Sequence, residues 1–300
     1  MRPTLIALPA LLALLALSPL TAGAQTAPPA AALATMSATD TISITRDPRL
    51  PAWEETAKQT LDSSPRHGEY VDIAWAKDKS PLRTWIMYPE RKDKAGVVLV
   101  IHEIFGLSDW VRSVADQLAR DGFIAVVPDL ISGLGPGGGG TDSVPSRDDV
   151  VRLVRTLTLE ETNARLDAVR AWATKLPAAN GRIATVGFCW GGGRSFSYAA
   201  VSPPPAAAVV FYGVSPDSAA IPNVRAPVLG LYGGDDARVD PTIAAAQAAL
   251  KTLGRSYEPH VYEGAGHGFL RAQTLRGGAN YKATQQAWPR TIEFLRQYLK

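Results

Sequence analysis

The single cysteine of this 300-residue chain, Cys189, stands in the stretch VGFCWGGG, with Gly187 two residues before it and Gly191 two residues after. An apolar run that reads as a strand, GRIATVGF, leads into it, and WGGGRSFSYAAV, which reads as a helix, leaves it. A nucleophile on such a sharp strand-to-helix turn is held in a strained backbone conformation, and its neighbours two positions away must be small for the chain to pass. The helix N-terminus beside it favours thiolate over thiol. A thiol so placed needs a base. Of the four histidines, His67 lies in a polar stretch, His102 ends a strand and His260 lies within one, whereas His267 sits in the glycine-rich loop GAGHGF just past the last strand. Reactive groups collect on loops of this kind. The imidazole in turn needs a carboxylate to orient it. The segment LYGGDDARVD offers Asp235, Asp236 and Asp240, and spacing alone does not choose among them.

A further acid, Glu103, follows the apolar run AGVVLVIH, where a charge is costly unless it is used. The turn after that strand is also a place from which a second oxyanion donor can come, so the backbone N–H groups of Ile104 and Trp190 are the expected pair. No second histidine or cysteine has metal-ligand spacing, so neither metal nor cofactor is expected. The segment GLGPGG, Gly133 to Gly138, fits a dinucleotide-loop pattern. However, residues intervene after the strand, Pro136 sits inside, and more glycine follows in place of a helix. It reads as a flexible rim loop.

The elements that must position these groups can be read from hydrophobic patterning. EYVDIAW and LRTWIMY form two strands joined by a turn, AGVVLVIH and FIAVVP are buried strands, and SDWVRSVADQLARDG is a helix capped by Ser108 and ended by Gly122. A helix over about Leu159 to Leu176, the strand–turn–helix around Cys189, two strands (AAAVVFYG and APVLGLYGG), a helix from Pro241, the strand SYEPHVYEG and a final helix kinked at Pro289 complete the order. Buried strands alternating with helices predict an α/β fold, a mostly parallel sheet with helices on both faces and antiparallel strands at its start. Ligands then bind at the carboxyl ends of the strands.

The N-terminus has Arg2, an apolar run from Leu5 to Leu17 interrupted by Pro9, and the small residues Ala22-Gly23-Ala24. These are the three parts of a secretory signal peptide, residues 1–24, cut after Ala24, leaving no stable membrane anchor. Residues 25–66 read as a flexible leader and a surface extension with a short helix near Trp53 to Leu61, and residues 67–300 as one domain. The expected compartment is periplasmic or extracellular, where a lone cysteine cannot staple the fold internally. The net charge of +3 is spread along the chain, so nucleic acid is not an expected partner.

Together HEIFGL, GFCWGG, YGGDD and GAGHGF resemble, in order, the motifs of the dienelactone hydrolase family, the carboxymethylenebutenolidases of the α/β-hydrolase superfamily. The resemblance spans about His67 to Lys300. It implies a triad of Cys189, Asp236 and His267, with Asp236 chosen because the family pattern is Gly-Gly-x-Asp. It implies that Glu103 contacts the thiol at rest and helps ionise it when substrate binds. It also places Arg271 where the family holds a substrate carboxylate. A second such arginine is not evident, Arg147 being the nearest candidate.

The expected activity is cysteine-dependent hydrolysis of lactones or activated esters through an acyl-enzyme. A thiolate leaves more readily than an alkyl alkoxide, so enol lactones and aryl esters fit best. The alternatives are a promiscuous detoxifying esterase or phosphotriesterase on the same triad, and a non-catalytic binding or redox-sensing protein retaining the fold.

Overall fold

The structure, a computed structural model, describes residues 41–76 and 79–300. The expected signal segment 1–24, its cleavage after Ala24 and the leader up to Asp40 lie outside the described residues. None of the described helices is long and apolar enough to cross a membrane.

The centre of the molecule is an eight-stranded sheet. In chain order its strands are β1 (Gly68–Ile73), β2 (Leu82–Met87), β3 (Ala95–Ile101), β4 (Ile124–Pro128), β5 (Ala179–Phe188), β6 (Ala208–Phe211), β7 (Val228–Asp235) and β8 (Tyr257–Gly266). In space they run β1-β2-β4-β3-β5-β6-β7-β8. The pairs β1–β2 and β2–β4 are antiparallel and all the others parallel, as expected where no helix separates the first two strands.

All seven residues of β3 are buried, and their alternation sorts them between two helical layers. Val98 and Val100 pack with α2 (Asp109–Arg120) and α7 (Ala279–Leu299). Val97 and Leu99 pack with α4 (Leu159–Ala173), and further along that face Phe196 of α5 (Trp190–Tyr198) and Ile243 of α6 (Asp240–Thr252) cover β6 and β7. Pro289 lies inside α7, which continues through it.

Two differences from the sequence reading matter for the site. A helix, α3 (Arg147–Thr156), follows the glycine-rich loop where no element was expected; Ser146 caps it by accepting from the Asp149 N–H, and Val150 and Val154 are buried. The extension is not a loose appendage. Helix α1 (Glu54–Asp62) and the segment before it pack onto α2, with Leu50, Ala52 and Ala57 at most 4% exposed. The physical reason is hydrogen bonding as much as apolar burial. The Trp110 indole donates to the Ala52 carbonyl at 3.0 Å and the Gln273 amide to the Pro51 carbonyl at 2.9 Å.

The glycine-rich loop is no dinucleotide cradle. It folds back so that the Thr141 N–H and hydroxyl donate to the buried Asp129 carboxylate at 2.6 and 2.9 Å. The same hydroxyl accepts from the Leu107 N–H at 3.0 Å, bracing the turn after β3.

Candidate active site

Strand register brings the chemistry together. Ile101 pairs with Gly187, so the turn His102-Glu103-Ile104 lies beside Cys189. Phe188 pairs with Phe211, which sets Tyr212 on the other side. Asp235 pairs with Gly266, which brings Asp236 and His267 to adjacent strand ends.

Cys189 has φ 54° and ψ −114°, a left-handed conformation rare for a residue with a side chain. Its neighbours show why the elbow needs glycine. A Cβ on Gly187 would stand 2.0 Å from the Gly191 carbonyl oxygen, and one on Gly191 would stand 2.2 Å from that of Ile101. The half-buried thiol therefore rides above the first turn of α5. Tyr212 repeats the strain one strand over, at φ 41°. Two adjacent strand ends held in this region mark a functional edge.

Asp236, 5% exposed, accepts a 2.5 Å hydrogen bond from His267 Nδ1. Asp235 points outward to an ion pair with Arg276, and Asp240 is the first residue of α6, so the geometry selects Asp236 from the three candidates. Burial opposes charge on His267. The hydrogen bond to Asp236 and the nearby Cys189 side chain outweigh it and raise the imidazole from its usual 6.5 to about 9. Arg238, not anticipated from the sequence, places Nη2 3.5 Å from Nδ1 and 3.3 Å from Nε2 of His267. Near-equal distances to both ring nitrogens set it over the ring face.

His102 is fully buried and structural in a specific way. Its Nε2 accepts from the Leu130 N–H at 3.1 Å, so Nδ1 carries the proton and donates to the Glu103 carbonyl at 2.7 Å. Burial holds its pKa below the ordinary value, which keeps this neutral tautomer. The Glu103 carbonyl and the Ile104 N–H belong to one peptide plane, so the bond that fixes the carbonyl also fixes the N–H pointing the other way. Among the described residues, neither that N–H nor the Trp190 N–H meets an acceptor. The His102 ring also stacks on Trp190, centroids 5.7 Å apart.

Glu103 departs from expectation. Its carboxylate, 3% exposed, accepts from Arg271 Nε at 2.8 Å and makes no hydrogen bond to the thiol. Arg271 also binds Glu54 of α1, whose other oxygen lies 2.9 Å from Arg147. Burial works against the Arg271 charge, but the Glu103 and Glu54 carboxylates more than compensate and raise its pKa. The Tyr212 hydroxyl is buried without a hydrogen-bond partner, and burial, the Glu103 charge and the Cys189 charge push its pKa well above 10. Tyr212, Arg238 and Glu54 were absent from the sequence reading because no local motif announces them.

Among the described residues no cluster of three His, Cys, Asp or Glu side chains is arranged for a metal. A cleft of about 850 Å³ lined by Asp121, Trp288 and Arg296 lies along α7 and holds no nucleophile.

The profile of the dienelactone hydrolase family matches residues 82–299. A carboxymethylenebutenolidase of Pseudomonas putida is 32% identical over 211 residues, covering 68% of this chain and 86% of that protein. Two solved structures are similar to the chain. A dienelactone hydrolase-like promiscuous phosphotriesterase from metagenomic libraries gives a TM-score of 0.67 at 21% identity, over 78% of this chain and 99% of that one. A dienelactone hydrolase from Anabaena variabilis gives 0.57 at 23% identity, again over 78% and 99%. At these identities the two structures speak for the fold, which is that of the α/β-hydrolases.

Proposed function

The chain belongs to the dienelactone hydrolase family and is a hydrolase, and from that premise we propose that it opens lactones or cleaves activated esters through an acyl-enzyme on Cys189. The observation that carries this reading is the strained cysteine at φ 54° beside a His267–Asp236 pair 2.5 Å apart. The raised His267 supports a protonated imidazole at neutral pH, with Asp236 holding Nδ1 and leaving Nε2 to exchange a proton.

The Cys189 sulfur attacks the acyl carbon, and the carbonyl electron pair moves onto oxygen. The Ile104 and Trp190 N–H groups stabilise that oxyanion. The intermediate collapses to a thioester as the C–O bond breaks, and the leaving enolate or aryloxide takes the proton from His267. Neutral His267 then accepts a proton from water as its oxygen attacks the thioester, and the thiolate leaves.

An alkyl alkoxide would compete poorly with sulfur as leaving group, which directs the reading to enol lactones and aryl esters. Arg271 stands where the family holds a substrate carboxylate, and here it is paired with Glu103 and Glu54 of the chain itself. The signal-like N-terminus supports action outside the cytoplasm after cleavage at Ala24. A neutral phosphotriester attacked by the same thiol is the second reading, favoured by the name of one fold neighbour.

The test uses mature chain and a panel of enol lactone, 4-nitrophenyl ester, ethyl ester and phosphotriester. Acyl-enzyme chemistry gives a pre-steady-state burst and a mass increase on Cys189 with the first two, both lost in Cys189→Ala. A Cys189→Ala enzyme that keeps its rate overturns the mechanism. Absence of any burst or turnover across the panel returns the chain to a binding or redox-sensing role.

A further inference from the structure

A carboxylate from the chain itself sits between two cations beside the nucleophile. Glu54 bridges Arg271 and Arg147, and both guanidiniums lie over the ring of Phe105, at 5.1 and 3.6 Å from its centroid. Phe105 directly follows Ile104, whose N–H is the expected oxyanion donor. Arg271 meanwhile holds Glu103 at the strand end next to Cys189.

Glu54 is held firmly in this position. Its N–H donates to the Arg271 carbonyl at 3.0 Å, and the residues just before it are tied down by buried donors from Gln273 and Trp110. As the first residue of α1, it also has the helix N-terminus behind it, where a carboxylate is favoured. Its neighbour Glu55 carries the same charge on the exposed face.

We propose that Glu54 is a specificity-determining residue that fills the anion subsite of this enzyme from within, so that the site selects neutral acyl groups over acyl groups carrying a carboxylate. Two guanidiniums face two carboxylates, and the cluster is compensated before any substrate arrives. An anionic substrate must displace Glu54 from both arginines or stand as a third carboxylate against two guanidiniums. A neutral lactone meets neither demand.

The charge preference rests on the hydrolase reading only in its turnover arm, because the thiol reports the local field without turnover. Cys189 in the full mature chain is alkylated with iodoacetate and with iodoacetamide, reagents of nearly equal size that differ in charge. Glu54→Gln frees one positive charge and should raise the iodoacetate-to-iodoacetamide rate ratio by roughly tenfold, within the range of one charge-assisted hydrogen bond. Glu54→Ala serves as a second variant should the amide disturb packing. Glu55→Gln removes the same charge one residue along and should leave the ratio where it is. Adding Arg271→Ala to Glu54→Gln should cancel the gain.

In the turnover arm, 4-carboxymethylene-but-2-en-4-olide is compared with its methyl ester. The kcat/KM ratio of acid to ester should rise by a similar factor in Glu54→Gln. Alkylation and turnover ratios that stay put in folded Glu54→Gln and Glu54→Ala overturn the inference, as does an equal rise in Glu55→Gln. If wild type hydrolyses neither lactone, the hydrolase reading falls while the alkylation ratio still decides the role of Glu54.

Discussion

His102 makes no contact with substrate in the reading above, yet it sets the direction of one oxyanion donor. Replacing it with asparagine keeps a donor and an acceptor in the buried space but shortens their reach to the Glu103 carbonyl and the Leu130 N–H, now 2.7 and 3.1 Å from the ring. The Glu103–Ile104 peptide is then free to rotate. Losing an oxyanion donor outright costs roughly 10²–10³ in kcat, about 2.7–4 kcal/mol, and Trp190 still contributes its own N–H. Losing only the orienting hydrogen bond costs about 0.5–1.5 kcal/mol, roughly 2- to 12-fold. His102→Asn should therefore lower kcat on an aryl ester by at least about 2- to 12-fold, and by up to about 10²–10³ where the donor turns away altogether, with KM nearly unchanged. The rate of Cys189 alkylation by iodoacetamide should stay within about twofold of wild type, since the His267–Asp236 pair is untouched; the same rate sets a donor defect apart from general damage. His102→Leu, which leaves both buried partners unpaired, should instead lower the urea midpoint, at about 1–3 kcal/mol for each orphaned group. A folded His102→Asn enzyme with wild-type kcat would refute the peptide-plane argument.

Other outcomes follow from distances already given. Asp236→Asn should lose roughly 10²–10⁴ in kcat, whereas Asp235→Asn, which breaks only a surface ion pair with Arg276, should stay near wild type; the opposite ranking moves the orienting role to Asp235. Gly187→Ala drives a methyl into the Gly191 carbonyl and should abolish activity while lowering Tm, whereas Gly193→Ala, which meets Val214 Cγ2 at 3.3 Å and the Val214 carbonyl oxygen at 3.4 Å, should be mild in both measurements. His267 is raised to about 9 against burial by Asp236 and Cys189. The stability it brings is thus fully present below about pH 6.5 and lost as pH rises through about 9. Urea midpoints at pH 6.5 and 9.5 should differ more in wild type than in His267→Gln, and equal differences would remove the ion pair from the account.

What the sequence disclosed, it disclosed through backbone constraint. Gly187, Cys189 and Gly191 are legible as an elbow because all three lie within five residues and Gly187 clears the Gly191 carbonyl, although the carbonyl that Gly191 clears belongs to Ile101 on β3. The strands flanking them were equally clear, because continuous apolar runs leave little choice. Helix α3 was hidden by the glycine run before it, although Ser146 and the acids after it are a start signal. Asp236 could not be separated from Asp235 by spacing alone, since the difference is which side of the β7 end each faces. Glu54, Tyr212 and Arg238 were illegible for a different reason: each gains its meaning from a partner brought near by the sheet, and Glu54 meets Arg271 across 217 positions of chain. The extension was read as surface because few of its residues are apolar. Its attachment depends on carbonyls, which every residue carries and no pattern marks.

The clasp between the Pro51–Glu54 segment and the Arg271–Gln273 loop also bears on how the catalytic edge is assembled in time. Its hydrogen bonds close loops of more than 200 residues, 217 and 222 positions apart. Contacts so distant along the chain carry a large closure entropy, and most of the sheet has to be in place before they can form. The loop bearing His267 and Arg271 is therefore among the last pieces to settle. During refolding, the far-ultraviolet signal of the sheet should return ahead of the reactivity of the thiol, and a chain that has its strands but not its clasp passes through a stage in which it is folded and silent.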